Sequence, residues 1–150
     1  MGLDEAVYRK YADELIRFAT TLVGPSLAED LFVSAVLKAM SAPGWGEVTE
    51  PRAYLFRVVA NEARMLWRTD RRRRQREERA VSSSSVAEST ISAEVRDALG
   101  RLSLLHRSVL FMAYWPEMTV AEIAATLQIS SRSVERALTQ GRRLLEEALR

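Results

Sequence analysis

The sequence predicts an all-α protein of two small helical domains joined by a flexible linker, with a helix-turn-helix in the second domain. Three observations support this fold class. Apolar residues recur at steps of three and four over most of the 150 residues, β-type alternation is not evident, and a polar stretch with four serines at 82–85 interrupts the helical pattern. We therefore expect a first domain over 1–76, a linker over 77–91 and a second domain over 92–150.

The first two helices have recognisable ends. Gly24-Pro25 should terminate the first helix, and Ser26 followed three residues later by Glu29 has the spacing of a capping box that starts the second, which should run to Met40. One apolar stripe gives the first helix its buried face, namely Val7, Tyr8, Tyr11, Leu15, Phe18 and Leu22.

Positive charge is concentrated in a third helix, which Pro51 should begin at its first turn. Residues 51–79 hold 10 basic and 4 acidic residues, a net charge of +6, although the whole chain carries only +2. All ten cations are arginines, whose planar guanidinium groups match phosphate oxygens in pairs. Basic runs are often solvated helix ends, so the block alone leaves nucleic-acid contact and a merely solvated face equally open.

The second domain contains the helix-turn-helix pattern. After a helix that stops at Pro116, Thr119 can cap a helix that ends at Leu127, and Ser131 can cap a long helix that reaches Leu149. The apolar residues expected to bury this pair are Ala121, Ile123, Ala124, Leu127, Ile129, Val134, Leu138 and Leu145.

Exposed residues on the last helix are candidates for reading DNA. The N-terminal side chains of a recognition helix reach base edges in the major groove, whereas later cations contact phosphates. The alternative is a helical hairpin that only packs, and the placement of serines and arginines favours DNA reading over it. The candidates are Ser131, Arg132, Ser133, Glu135, Arg136, Arg142 and Arg143.

Composition argues against several classes of function. With no cysteine and only His106 among histidines, the chain lacks the residues for a thiolate or imidazole metal site, and we expect no cofactor. Scattered acids and the lack of a glycine-rich phosphate loop predict that it is not an enzyme. The acidic Asp4 and Glu5, with no apolar run near ~18 residues, predict a cytoplasmic protein without a membrane segment.

Short fragments in a fixed order identify a family. The first half contains Tyr11-Ala12, Ala28-Glu29-Asp30-Leu31 and Tyr54-Leu55-Phe56-Arg57-Val58-Val59-Ala60-Asn61, and the second contains Ala98-Leu99, Ala121-Glu122-Ile123-Ala124, Ile129-Ser130 and Arg142-Arg143-Leu144. In this order the chain resembles the extracytoplasmic-function sigma factors, the smallest sigma subunits of bacterial RNA polymerase. The resemblance implies a transcription-initiation factor that binds the polymerase core and directs it to promoters.

The resemblance also implies roles for particular residues. The polymerase core would contact Glu29, Asp30, Leu31 and Phe32. The minus-ten promoter element would contact Asn61, Arg64, Trp67 and Arg68, with Arg71, Arg72, Arg73 and Arg74 on adjacent phosphates. The candidates on the last helix would read the minus-thirty-five element, and an anti-sigma factor is a further expected partner. A helix-turn-helix regulator that acts without polymerase is the alternative.

The chain departs from the usual family pattern at five positions, namely Ser34, Met65, Gln128, Glu135 and Ala137. Gln128 stands where a glycine is usual, at a position expected to need a positive φ. Glu135 places a carboxylate where a cation is typical, and a carboxylate can accept from the amino group of cytosine. Promoter preference therefore cannot be borrowed from the family average.

Overall fold

The computed structural model describes residues 2–77, 100 and 102–149, and within this part of the chain it contains helices and no β-strand. The first half consists of α1 (Gly2–Val23), α2 (Pro25–Ser41), a short 3-10 turn (Trp45–Glu47) and α3 (Pro51–Glu77). The second half contains α4 (Leu104–Tyr114), α5 (Val120–Leu127) and α6 (Ser131–Ala148). The all-α prediction is confirmed, and the predicted linker lies outside the described residues except at its first position, Glu77.

The first half is a three-helix bundle around an aromatic core. Phe18 of α1, Phe32 of α2 and Phe56 of α3 are fully buried, and the rings of Phe18 and Phe56 lie 4.9 Å apart between centroids. Burying one such side chain contributes roughly 1.5–3 kcal/mol, so these three rings are a main source of stability for the bundle. At its surface, the Arg52 guanidinium of α3 donates two hydrogen bonds to the Glu14 carboxylate of α1.

The start of α2 differs from the sequence prediction. Gly24 is its N-cap at φ 87° and ψ 165°, Pro25 occupies the first helical position, and no side chain caps the first turn. Proline suits that position because its φ is already helical and its missing N–H would be unpaired there anyway. The predicted capping box of Ser26 and Glu29 is therefore wrong, since Ser26 already lies inside the helix.

Helix caps in the second half are formed by neighbouring polar side chains. The predicted cap Thr119 is confirmed, and its hydroxyl accepts from the backbone N–H of Glu122 at 3.1 Å. The cap of α6 is Ser130, whose hydroxyl accepts from the Ser133 N–H at 3.1 Å, so the prediction of Ser131 is wrong by one residue. Ser103 is the N-cap of α4, and its hydroxyl accepts from the backbone N–H of His106 at 3.1 Å.

Two predictions of burial are also wrong. Ala121 is exposed because it lies with Ala125 on the outer face of α5, whereas Ile123 and Ala124 form the inner face. Tyr8, expected on the buried face of α1, is 45% exposed. Met65 lies on the outer side of α3 and is 55% exposed.

The two halves pack directly against each other. Helix α4 contacts α1 and α3, and α5 contacts α3. Phe111 of α4 enters the aromatic core of the first half, with centroid distances of 5.2 Å to Phe18 and 6.2 Å to Phe56.

In the described part of the chain, each helix is too short or too polar to span a lipid bilayer.

Candidate nucleic-acid interface

The outer face of α6 forms a shallow groove of about 450 Å³. Its lining combines three guanidinium groups, one carboxylate and two neutral polar side chains, so it carries a net positive charge. Such a surface can bind phosphates through its cations and reach base edges with its polar groups. The lining residues are Arg132, Glu135, Arg136, Thr139, Gln140 and Arg143.

The turn before α6 fixes the direction of that helix. Gln128 has φ 57° and ψ 46°, in the left-handed region, as the sequence predicted. The backbone N–H of Ile129 donates to the Ala124 carbonyl oxygen at 3.1 Å, which closes the turn. Val134 and Leu138 then anchor α6 with their buried side chains, which leaves the opposite face of the helix in solvent.

Arg142 and Arg143 are separated by the helix geometry. Arg143 lines the groove, whereas the Arg142 guanidinium lies over the Tyr114 ring of α4, 5.3 Å from its centroid, and its Nε donates to the Tyr114 hydroxyl. Ser131 is exposed beside the groove, and Ser133 is half-buried against Ser130. The structure therefore brings Arg132, Glu135, Arg136 and Arg143 together and directs Arg142 elsewhere.

A second polar surface lies on α3. Asn61, Arg64 and Arg68 are exposed and share one face with Met65, because residues three and four apart are neighbours on a helix. The face from Asn61 to Arg68 is about 10 Å long at the rise of an α-helix. Arg71 to Arg74 continue α3, but their side chains lie outside the described part of the structure.

Trp67 does not belong to that face. Its indole Nε1 donates to the Leu22 carbonyl oxygen at the end of α1, at 3.0 Å. The Arg107 guanidinium of α4 lies 4.8 Å from its ring centroid. Trp67 is therefore half-buried between the two halves, and the other three minus-ten candidates point into solvent.

The four candidates for contact with the polymerase core lie on different sides of α2. Glu29 and Asp30 are exposed. Leu31 and Phe32 are only 5% and 1% exposed, because they belong to the core of the bundle. Their side chains cannot contact a partner without unpacking the first half, so any contact has to use exposed neighbours.

The negative charge of the Glu122 carboxylate stabilises the start of α5. The pKa of the exposed Glu122 carboxyl is lowered, chiefly because it accepts a hydrogen bond from the Thr119 backbone N–H, and Arg52 of α3 lowers it further. A carboxyl with a lowered pKa contributes stability above its unfolded pKa and loses that contribution as the pH falls through its folded value. The capping box therefore stays intact at neutral pH.

Sequence reasoning missed several residues of these surfaces. Thr139 and Gln140 line the groove, and their spacing of four residues from Glu135 and Arg136 places them on the same face of α6. That spacing could have identified Thr139 and Gln140 as groove residues from the sequence. Tyr114, which binds Arg142, is 28 residues away in sequence, and no local pattern indicates the contact.

Two family models match the two halves of the chain. The Sigma-70 region 2 family matches residues 7–73, and the Sigma-70, region 4 family matches residues 92–145. The first match contains most of α1, all of α2 and most of α3, and the second contains α4, α5 and most of α6. Together they span well over half of the chain.

Solved structures show the same fold. The sigma factor RpoE, in complex with the anti-sigma factor NepR from Bartonella quintana, has a TM-score of 0.77 at 19% identity, covering 97% of this chain and 95% of that one. CnrH, in complex with the cytosolic domain of CnrY, has a TM-score of 0.65 at 22% identity, covering 97% of this chain and 86% of that one.

Curated relatives give higher identity over nearly the whole length. The ECF RNA polymerase sigma factor SigL of Mycobacterium tuberculosis is 32% identical, with 99% of this chain and 89% of SigL covered. The RNA polymerase sigma-E factor of Streptomyces avermitilis is 31% identical, with 97% of this chain and 84% of the relative covered. With its region 2 and region 4 matches and these relatives, the chain belongs to the extracytoplasmic-function family of RNA polymerase sigma factors.

Proposed function

We propose that this alternative sigma factor binds the polymerase core through its first half and contacts two promoter elements with two separate surfaces, catalysing no reaction itself. The observation that carries the proposal is the presence of two exposed cationic surfaces on one chain. One is the α3 face of Asn61, Arg64 and Arg68, and the other is the groove on α6. A single cationic surface would suffice for a regulator that reads one site.

Contact with the polymerase core is assigned to the exposed side of α2. Glu29 and Asp30 supply negative charge, and Val33 and Leu37, 44% and 63% exposed, supply apolar area beside them. Charge complementarity there would speed encounter and fix the orientation of the two proteins. Leu31 and Phe32 support this surface by holding α2 on the core of the bundle.

The α3 face is assigned to the minus-ten element, where the duplex opens. Asn61 can hydrogen-bond to an unpaired base, and Arg64 and Arg68 can stack on bases or bind phosphates. Arg71 to Arg74 continue the same helix towards adjacent phosphates. Trp67 can join this surface only after it leaves the contacts that it makes with Leu22 and Arg107.

The groove on α6 is assigned to the minus-thirty-five element in duplex form. Arg132, Glu135 and Arg136 lie near the N-terminus of the recognition helix, where side chains reach base edges. Arg143, two turns later, would contact phosphates. Ser131 and Ser133 flank the same end of the helix, and Arg142 remains a weaker candidate because Tyr114 holds it.

Domain limits and partners follow from the same assignments. We place the two domains at 1–76 and 92–150 with a linker over 77–91, in keeping with the limits of the two family matches. Because RpoE and CnrH were solved in complex with an anti-sigma factor and with CnrY, an anti-sigma factor is a reasonable partner for this chain as well. We place the protein itself in the bacterial cytoplasm, where core polymerase and promoter DNA are present.

Transcription with purified core polymerase tests the proposal. Adding the protein to core and a promoter library should give defined transcript starts, and Glu29→Lys/Asp30→Lys should abolish them by removing the acidic contact. The matched control is Glu5→Lys/Asp13→Lys, which reverses two exposed acids on α1 whose ion pairs, with Arg9 and Arg17, lie within that helix. Failure of the unaltered protein to form a complex with core would overturn the proposal and favour a regulator that acts without polymerase.

A further inference from the structure

The contact between the two halves is concentrated on one side of α4. Phe111 packs against the rings of Phe18 and Phe56, which also contact each other, and Trp115 stacks on Phe111 with a centroid distance of 6.0 Å and an interplanar angle of 12°. The Arg17 guanidinium of α1 lies 4.7 Å from the Trp115 ring centroid, at the solvent-exposed edge of this contact. We call the arrangement in which the two halves pack together closed. The aromatic contact buries apolar area in this closed arrangement but supplies no polar specificity.

Arg107 supplies the polar part of the contact. Its Nη1 donates to the carbonyl oxygens of Leu22, at 3.2 Å, and of Thr21, at 3.4 Å. The guanidinium also covers the ring of Trp67. Every one of these partners belongs to the first half, although Arg107 itself belongs to the second.

The end of α1 explains why a cation binds there. The last carbonyl groups of a helix have no intrahelical partners and carry partial negative charge, and a cation near them is stabilising. The last turn of α1 has no basic residue of its own. Arg107 therefore supplies from the second half the cation that this helix end lacks, and it shares the Leu22 carbonyl with the indole N–H of Trp67.

The contact is also one that can be released. Burial lowers the pKa of Arg107, and within the described residues its Nε, which is shielded from solvent, has no hydrogen-bond partner. Desolvation of a charged group opposes closure, and opening returns both the guanidinium and the helix end to water. Rehydration of Arg107 and of the helix end therefore favours opening, whereas the aromatic contact opposes it.

We propose that Arg107 is an autoinhibitory latch that holds the free protein closed and keeps Trp67 away from promoter DNA. The proposal rests on the proposed function, because it names the regulation of the minus-ten surface. While the latch is closed, the indole N–H is occupied and the guanidinium covers the ring. Release of Arg107 exposes Trp67 beside Arg64 and Arg68.

The spacing of the promoter elements requires the same opening. Elements centred near positions minus ten and minus thirty-five are ~25 base pairs apart, or ~85 Å at 3.4 Å per base pair. A compact chain of 150 residues has a radius of gyration of about 15 Å, so a closed molecule cannot reach both elements at once. The latched state is therefore inactive for promoter recognition.

Single-molecule energy transfer on the free protein tests the latch. The chain has no cysteine, so Ala6→Cys on α1 and Glu147→Cys on α6, both at exposed positions, give one label in each half. The unaltered labelled protein should be predominantly in a high-transfer, closed state. Arg107→Ala should raise the ratio of open to closed molecules about tenfold, because it removes a desolvated cation–π contact and two hydrogen bonds.

Two further variants separate the latch from general damage. Arg107→Lys keeps the charge but loses the planar stack, so it should open the protein less than Arg107→Ala. Arg9→Ala removes an exposed arginine whose ion pair with Glu5 lies within α1 and should change nothing. Circular dichroism should report unchanged helix content in all variants.

Two outcomes would overturn the latch. One is a predominantly open unaltered protein, and the other is an open fraction for Arg107→Ala equal to that of the unaltered protein. Both are read without polymerase or DNA, so they leave the proposed function untouched. Addition of core polymerase should then convert the unaltered protein to low transfer, and if it binds no core at all, the proposed function fails while the latch is still judged on the free protein.

Discussion

Replacing the three arginines of the α6 groove should flatten the salt dependence of promoter binding by the holoenzyme. Arg132, Arg136 and Arg143 line one face, and each phosphate contact that is lost lowers the slope of log K against log salt by ~0.9. The triple change to alanine should therefore lower the slope by between ~0.9, for the phosphate contact assigned to Arg143 alone, and ~2.7, where Arg132 and Arg136 contact phosphates in addition to bases. Between 50 and 200 mM salt, this makes the affinity loss of the variant about 3- to 40-fold smaller than that of the unaltered holoenzyme.

Fluorescence anisotropy of a labelled promoter fragment, titrated with holoenzyme at several salt concentrations, gives the two slopes. Arg142→Ala is the matched control, since Arg142 is adjacent in sequence to Arg143 but lies on the Tyr114 ring. It should change the slope less than Arg143→Ala alone. Equal slopes for the triple variant and the unaltered holoenzyme would remove the groove from the DNA interface.

Three further changes test the second half. Gln128→Gly should raise stability by about 0.5–1 kcal/mol in urea denaturation, because glycine adopts φ 57° without strain. A lower urea midpoint would show that the glutamine side chain contributes more to stability than the backbone strain costs. Gly141→Val should lower stability by about 1–3 kcal/mol, because even a Cβ atom there would lie 3.0 Å from Leu110 Cδ1. Gly44→Val is the control and should be neutral, since a Cβ atom at Gly44 meets nothing within 4 Å. Equal urea midpoints for the two variants would contradict crowding at Gly141. Glu135→Ala should alter the sequences that the holoenzyme selects from a randomised minus-thirty-five element, and identical selected sequences would exclude Glu135 from base reading.

Local signals in the sequence predicted much of the fold. Gly24-Pro25 marked the boundary between α1 and α2 because proline and glycine act on the backbone wherever they stand. Thr119 capped α5 and Gln128 took the left-handed conformation for reasons confined to one turn. The prediction for Ser26 was wrong although its spacing to Glu29 suits a capping box. The adjacent Pro25 is more favourable at the first helical position, which places Ser26 inside the helix.

Contacts between distant parts of the chain could not be predicted in this way. Trp67 was a candidate for DNA contact, but its environment depends on the Leu22 carbonyl and on Arg107, 45 and 40 positions away in sequence. Arg142 was grouped with Arg143 because the two are adjacent, yet a helix directs successive side chains about 100° apart. The burial of Leu31 and Phe32 likewise depends on how the bundle closes.

The central claim is that polymerase brings both surfaces of this protein to one promoter. The most direct measurement is binding of a fragment with both elements to the protein alone and to its mixture with core polymerase, under identical salt. We expect strong, sequence-dependent binding only in the presence of core, with protection of both elements. Equally strong and selective binding by the protein alone would contradict the claim.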